Sequence, residues 1–177
     1  DGSMSLQKSE LFKAVHAIGW PGDAKALWRA LDQDGGGLTS LEEFDPHGAV
    51  FIAKFKDWAS QRWGPRPAEG CFNALDTMRR RRLGYAEFSE QCRASGYTNG
   101  LQALIQCLDW EDKGYLQQED FEWMDVWRPV AWLMAEPDEA AAHDFKTHLL
   151  QKYSDYVQAW RSALDRDSSN ICQWRGV

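Results

Sequence analysis

The sequence contains no apolar run long enough to cross a bilayer and no secretory signal pattern. It also lacks an excess of base. Against 27 acidic residues stand 20 lysines and arginines, giving a net charge of −7 and an isoelectric point near 5.1. That balance argues against nucleic acid and anionic membrane as partners, and suits a protein that holds cations. The four cysteines, Cys71, Cys92, Cys107 and Cys172, form no CxxC pair. A reducing compartment and a cytoplasmic location are therefore expected. There is no Walker loop and no dinucleotide fingerprint, and neither His16 nor His47 has a Ser or Cys nucleophile arranged around it in sequence. The chain is not expected to be an enzyme. Methionine is scarce at four residues; tryptophan, at ten, is not.

The most informative stretch is Leu31 to Phe44, LDQDGGGLTSLEEF. Asp32, Asp34, Gly37 and Glu43 stand at positions 1, 3, 6 and 12 of a twelve-residue loop. A hard divalent cation takes six to eight oxygens, so a short loop must offer carboxylates at alternate positions, turn sharply at a glycine, and close with a bidentate glutamate. Asp32, Asp34, the Leu38 carbonyl, Ser40 directly or through water, and Glu43 supply that set. Gly36 holds the fifth ligand position without a side-chain oxygen, which predicts weak affinity, micromolar or poorer within the range of about 10⁻⁹ to 10⁻³ M for such loops.

The same frame recurs. Leu75-Asp76 opens a second loop ending at Glu87-Phe88, and Leu108-Asp109 opens a third ending at Asp120-Phe121. Leu164-Asp165 opens a fourth whose twelfth position is Gly176. Leu6, Glu10 and Leu11 match positions 8, 12 and 13 of an incomplete copy at the start. By their spacing the incomplete copy pairs with the first loop and the second with the third, leaving the fourth without a partner. The chain thus reads as a segment of a longer array, or as one that meets its missing halves in another copy.

On these repeats the chain resembles the EF-hand superfamily, which includes the calmodulin-like sensors. The resemblance implies an all-α fold, an array of helix-loop-helix units arranged as pairs with short loop-loop β contacts. It also implies calcium as the cofactor, one ion being expected, since most loops depart from the pattern. In the second, Arg79 to Arg82 place four cations where the metal would sit, excluding calcium. The third offers Asp109, Glu111, the Tyr115 carbonyl and Asp120, but Lys113 puts an ammonium in the cage and Asp120 is short for its task. The fourth offers Asp165, Asp167, Ser169 and the Ile171 carbonyl, and lacks the closing carboxylate.

Helices are expected over 6–18, 24–31, 68–75, 84–94, 100–108 and 117–127, with breaks near Asp45-Pro46 and Gly48. The Gly64-Pro65-Arg66-Pro67 linker sets the expected domains at 1–63, 68–134 and 135–177. In the last, Phe145, Leu149, Tyr153, Val157, Trp160 and Leu164 form one stripe, predicting a helix of about 25 residues with a core face. The functional expectation is a calcium-responsive interaction module with a protein partner and one main site at 32–43. The alternatives are a constitutive scaffold assembling through Trp-rich helices, and a regulatory segment of a larger enzyme. Self-association through the incomplete terminal units is a further expectation.

Overall fold

Residues 2–130, 132–165 and 168 are described in the computed structural model of the chain. It is mostly helical, with two small antiparallel sheets. It divides into two compact units, residues 1–133 and 134–177.

The first sheet joins β1 (Ser5–Gln7) to β2 (Leu38–Ser40), with Leu6 opposite Thr39. The second joins β3 (Leu83–Gly84) to β4 (Tyr115–Leu116), with Leu83 opposite Leu116. In both sheets the facing residues are the eighth positions of their loops. Two- and three-residue strands are too short to stand alone, so each sheet depends on the helices at its ends.

α1 (Lys8–Ala17) starts on a capping box in which the Glu10 carboxylate accepts from the Gln7 amide at 2.7 Å. α2 (Ala24–Leu31) starts on Asp23, whose carboxylate accepts from the Lys25 amide at 2.8 Å. Leu11 and Val15, four residues apart and so on one helix face, bury against Trp28 to form a small core.

Leu41 opens α3 (Leu41–Phe44), which ends after one turn because Pro46 cannot continue it. α4 (Pro46–Trp63) begins at once, with Pro46 in its first turn and the Asp45 carboxylate accepting from the Gly48 amide at 3.0 Å. The expected break at Gly48 is absent: this glycine lies inside α4, where a Cβ would come within 2.2 Å of Asp45 Oδ2. It serves the cap rather than a bend.

α5 (Ala68–Leu75), α6 (Tyr85–Ala94) and α7 (Leu101–Leu108) follow, then a 3-10 turn at Gln118–Phe121 and α8 (Trp123–Val126). The exit helix expected over 117–127 is thus two short pieces. The main core draws on all of these elements and also on Phe55, Trp58 and Ala59 of α4. Gly64 to Pro67 therefore does not divide one core from another, as the expected boundary required. Phe55 packs against Trp58 at 5.5 Å and Tyr97 at 5.2 Å between ring centroids, the second contact reaching across that linker. Lys56 adds a polar tie: its buried ammonium donates to the carbonyls of Met124 and Trp127 at the end of α8, which lack intrahelical partners. Burial first, then Arg128, pushes its pKa down to about 8, with Asp125 partly opposing.

In the second unit α9 (Glu139–Lys152) is capped by Asp138, and α10 (Tyr156–Ala159) is capped by Asp155 and runs into a π-helical turn at Trp160–Leu164. The continuous helix expected here is broken at 153–155. Asp155 accepts from the Gln158 amide and Gln158 Oε1 from the Ser154 amide, both at 2.8 Å, so polar side chains start a new helix there. The expected core stripe is not one: Phe145 and Val157 are exposed and α9 buries no residue. No helix among the described residues is long and apolar enough to cross a membrane.

Candidate metal centre

The loops share one backbone. Positions 4 and 6 take positive φ in the first (Gly35 +69°, Gly37 +80°), the second (Arg79 +53°, Arg81 +56°) and the third (Asp112 +55°, Gly114 +84°). The incomplete copy does the same at Gly2 and Met4, and Ser168, position 4 of the fourth loop, also has a positive φ. The left-handed region suits glycine and penalises arginine, so its retention in the second loop reflects a demand of the loop. In all three complete loops the position-1 carboxylate accepts from the position-6 amide: Asp32 from Gly37 (3.3 Å), Asp76 from Arg81 (2.7 Å) and Asp109 from Gly114 (2.8 Å).

What differs is the charge inside. In the first loop Asp32, Asp34 and Glu43 converge, with carboxylate oxygens within 4.8 Å of one another. Among the described residues no other group of three acidic, His or Cys side chains does so. Three such charges repel by about 1 kcal/mol per pair even in water. Local hydrogen bonds hold them. Glu43 Oε2 accepts from the Ser40 amide at 2.9 Å and hydroxyl at 3.1 Å, while Oε1 accepts from the Gln33 amide at 3.1 Å. The Gly36 amide donates to Asp34 Oδ1 at 2.7 Å, and a Cβ on Gly36 would meet that oxygen at 2.8 Å. Glycine at the fifth position thus leaves room for the Asp34 carboxylate. Leu38, in β2, carries the position-7 carbonyl. This all-oxygen donor set fits a hard divalent cation.

The other two complete loops carry their own cation. In the second, Arg80 at position 5 reaches Glu87 at position 12, 2.5 Å away. In the third, Lys113 at position 5 reaches Asp120 at position 12 at 2.6 Å, with Glu111 at 3.4 Å. The bond to Asp120 raises the Lys113 pKa, outweighing burial. Asp109 is desolvated, which alone would raise its pKa, yet donors from Tyr85 (2.5 Å), Lys113 and Gly114 bring it below the usual carboxylate value. Tyr115 lies in β4 with Arg82 over its ring at 5.0 Å.

Asp165 is buried at the entrance of the fourth loop; Asp167, Ser169 and Ile171 lie outside the described residues. The two position-5 to position-12 ion pairs were signalled in the sequence by the bases themselves. The Tyr85 hydroxyl on Asp109 was not, since it crosses from one loop to the next. No protein-family model matches the sequence, and no similar curated protein is found.

Proposed function

We propose that this chain is a calcium-binding interaction module of the EF-hand kind, with one main site formed by Asp32, Asp34, the Leu38 carbonyl, Ser40 and Glu43. What carries the reading is the contrast between loops: two neutralise position 12 with a built-in cation, and the first leaves three converging carboxylates with none among the described residues. The EF-hand assignment is supported by the positive φ shared at positions 4 and 6, the pairing of eighth positions across both sheets, and the bond from position 12 back to the position-9 amide at Glu10, Glu43 and Asp120. Glycine at position 5 implies modest affinity. The exposed side chains of Phe44 and Trp110 suit contact with a protein partner, and the free cysteines Cys71, Cys92 and Cys107 suit the cytoplasm.

The second pair supports the scaffold reading for its own segment of the chain. With Arg80 and Lys113 in place of ions, it keeps its shape whatever the calcium level. Calorimetric titration of the metal-free chain with calcium, repeated on Glu43→Gln, tests the proposal. One binding event that disappears in the variant is expected; heat that survives the substitution, or none up to millimolar calcium, would overturn it.

A further inference from the structure

Residues 77–86 contain four arginines in a row, Arg79 to Arg82, and no acidic residue. All four are exposed. Two of them have partners within the fold: Arg80 closes on Glu87, and Arg82 lies over the Tyr115 ring. The side chains of Arg79 and Arg81 make no hydrogen bond, ion pair or ring contact among the described residues. They also stand where arginine is a poor choice. φ is +53° at Arg79 and +56° at Arg81, at the positions where the first loop has Gly35 and Gly37. The fold demands this left-handed backbone but not these side chains, and glycine would meet the demand with less strain. Strain kept for side chains that the fold leaves idle points to a use outside it.

The backbone beneath them is firmly held. The Arg80 and Arg81 amides donate to Asp76 at 3.1 and 2.7 Å, and Leu83 is fully buried opposite Leu116. Beside the arginines Met78 is 65% exposed. The second loop therefore presents a short, preorganised strip of guanidinium groups with one apolar neighbour.

A guanidinium matches a carboxylate or a phosphate with paired N–H donors. Two features decide between the carriers of such groups. The chain has a net charge of −7, so a membrane surface or a duplex reaching past the strip would meet repulsion from the rest of it. A peptide of a few extended residues, about 3.3 Å each, touches the strip alone. Met78 has no use against a free polyphosphate, and suits an apolar side chain of a peptide.

We propose that the second loop is a docking surface for an acidic peptide segment of a partner protein. Its carboxylates pair with Arg79 and Arg81, joined by Arg82 on the Tyr115 ring, and an apolar residue packs on Met78. Where the first loop gathers acids for an ion, the second displays bases for an acid. The site shares no residue with the calcium site proposed above.

The test titrates the full chain, in chelator and low salt, against a fluorescein-labelled peptide of sequence EELEEE, followed by anisotropy. Sub-millimolar binding is expected, weakening at least tenfold at physiological salt. Arg79→Gly with Arg81→Gly should weaken it at least tenfold and melt no lower than wild type, because glycine suits both positions. The corresponding lysine pair keeps the charge without the paired donors and should restore only part of the affinity. No anisotropy change at millimolar protein, binding unaltered by the glycine pair, or a lower melting temperature for that variant would each overturn the proposal. So would tighter binding of inositol hexakisphosphate, of vesicles containing phosphatidylserine or of an oligonucleotide than of the peptide, which would make phosphate the ligand. Concentration-dependent dimers in sedimentation that the glycine pair abolishes would overturn it too, making a second copy the occupant.

Discussion

Replacing Lys113 by asparagine should convert a self-contained loop into one that needs an ion. Lys113 lies 2.6 Å from Asp120, and the two side chains are 18% and 2% exposed. Removing one partner of a buried pair costs about 3–5 kcal/mol, because the other charge is left in a poor medium. Here the lysine keeps some contact with water, and Asp120 retains the Gln117 amide at 2.7 Å. We therefore expect a loss of about 2–3 kcal/mol. Lys113→Asn also restores an oxygen at position 5. The loop then presents Asp109, Glu111, the introduced amide and Asp120 around a space vacated by the ammonium. Calcium at about one hundred times its dissociation constant would return about 2.7 kcal/mol, most of the loss. The assay is urea denaturation followed by tryptophan emission, with and without 10 mM calcium (roughly one hundred times a weak-site constant near 10⁻⁴ M), in a Glu43→Gln background that silences the first loop. A loss under about 0.5 kcal/mol would mean the ion pair is no more than a solvated contact. A full loss that calcium does not reduce would refute the idea that the ammonium occupies a cation site.

Lys56 gives a pH signature. Its folded pKa of about 8 lies below the ordinary 10.5, so between these values the unfolded chain binds a proton that the folded chain has released, and stability rises with pH through the window. The stability advantage of wild type over Lys56→Met, from urea midpoints at about pH 7.5 and 9.5 on either side of the lowered pKa, should grow at the higher pH; a constant difference would remove the argument. Phe121→Ala should cost about 3–5 kcal/mol, while Phe44→Ala at the matching position of the first loop should change stability by less than about 0.5 kcal/mol. Equal losses in thermal melts would mean that the two positions are not differently covered. Gly48→Ala should lose the Asp45 cap and about 1 kcal/mol, read as a lower melting temperature; no change would show that the cap can move aside.

Much of the loop geometry was legible because it rests on single residues with narrow physical roles. Leu-Asp at the entrance, the position-8 residue and the phenylalanine after position 12 locate the three complete loops, and their partners across the sheets follow once the loops are paired. The shared core was not legible. Phe55, Trp58 and Ala59 sit at helical spacing on α4, which shows that one face is apolar but not which neighbour covers it. Gly64-Pro65-Arg66-Pro67 turns the chain sharply, and such a turn separates domains or returns a helix to its own core with the same composition. The stripe from Phe145 to Leu164 misled for a related reason. Periodicity registers which residues align, whereas Ser154 and Asp155 stop the helix through local hydrogen bonds that periodicity does not see.

The second loop keeps the shared backbone without a cluster of three converging carboxylates. Arg79 and Arg81 hold left-handed backbone at a cost of about 1–2 kcal/mol each, although no three acidic side chains converge in that loop. Something must offset the strain. Asp76 accepts from the Arg80 and Arg81 amides at 3.1 and 2.7 Å, Arg80 neutralises Glu87, and Leu83 at the eighth position lies opposite Leu116 with both side chains fully buried. The strand contact places α5 and α6 against α7 in the main core, so relaxing the loop would sacrifice far more apolar burial than it would recover in strain. The core behind it therefore holds the turn. Among the described residues the first pair's buried cluster is small, Leu11, Val15 and Trp28. With that smaller core behind it, the first loop is where the free energy of a bound ion would shift the balance most.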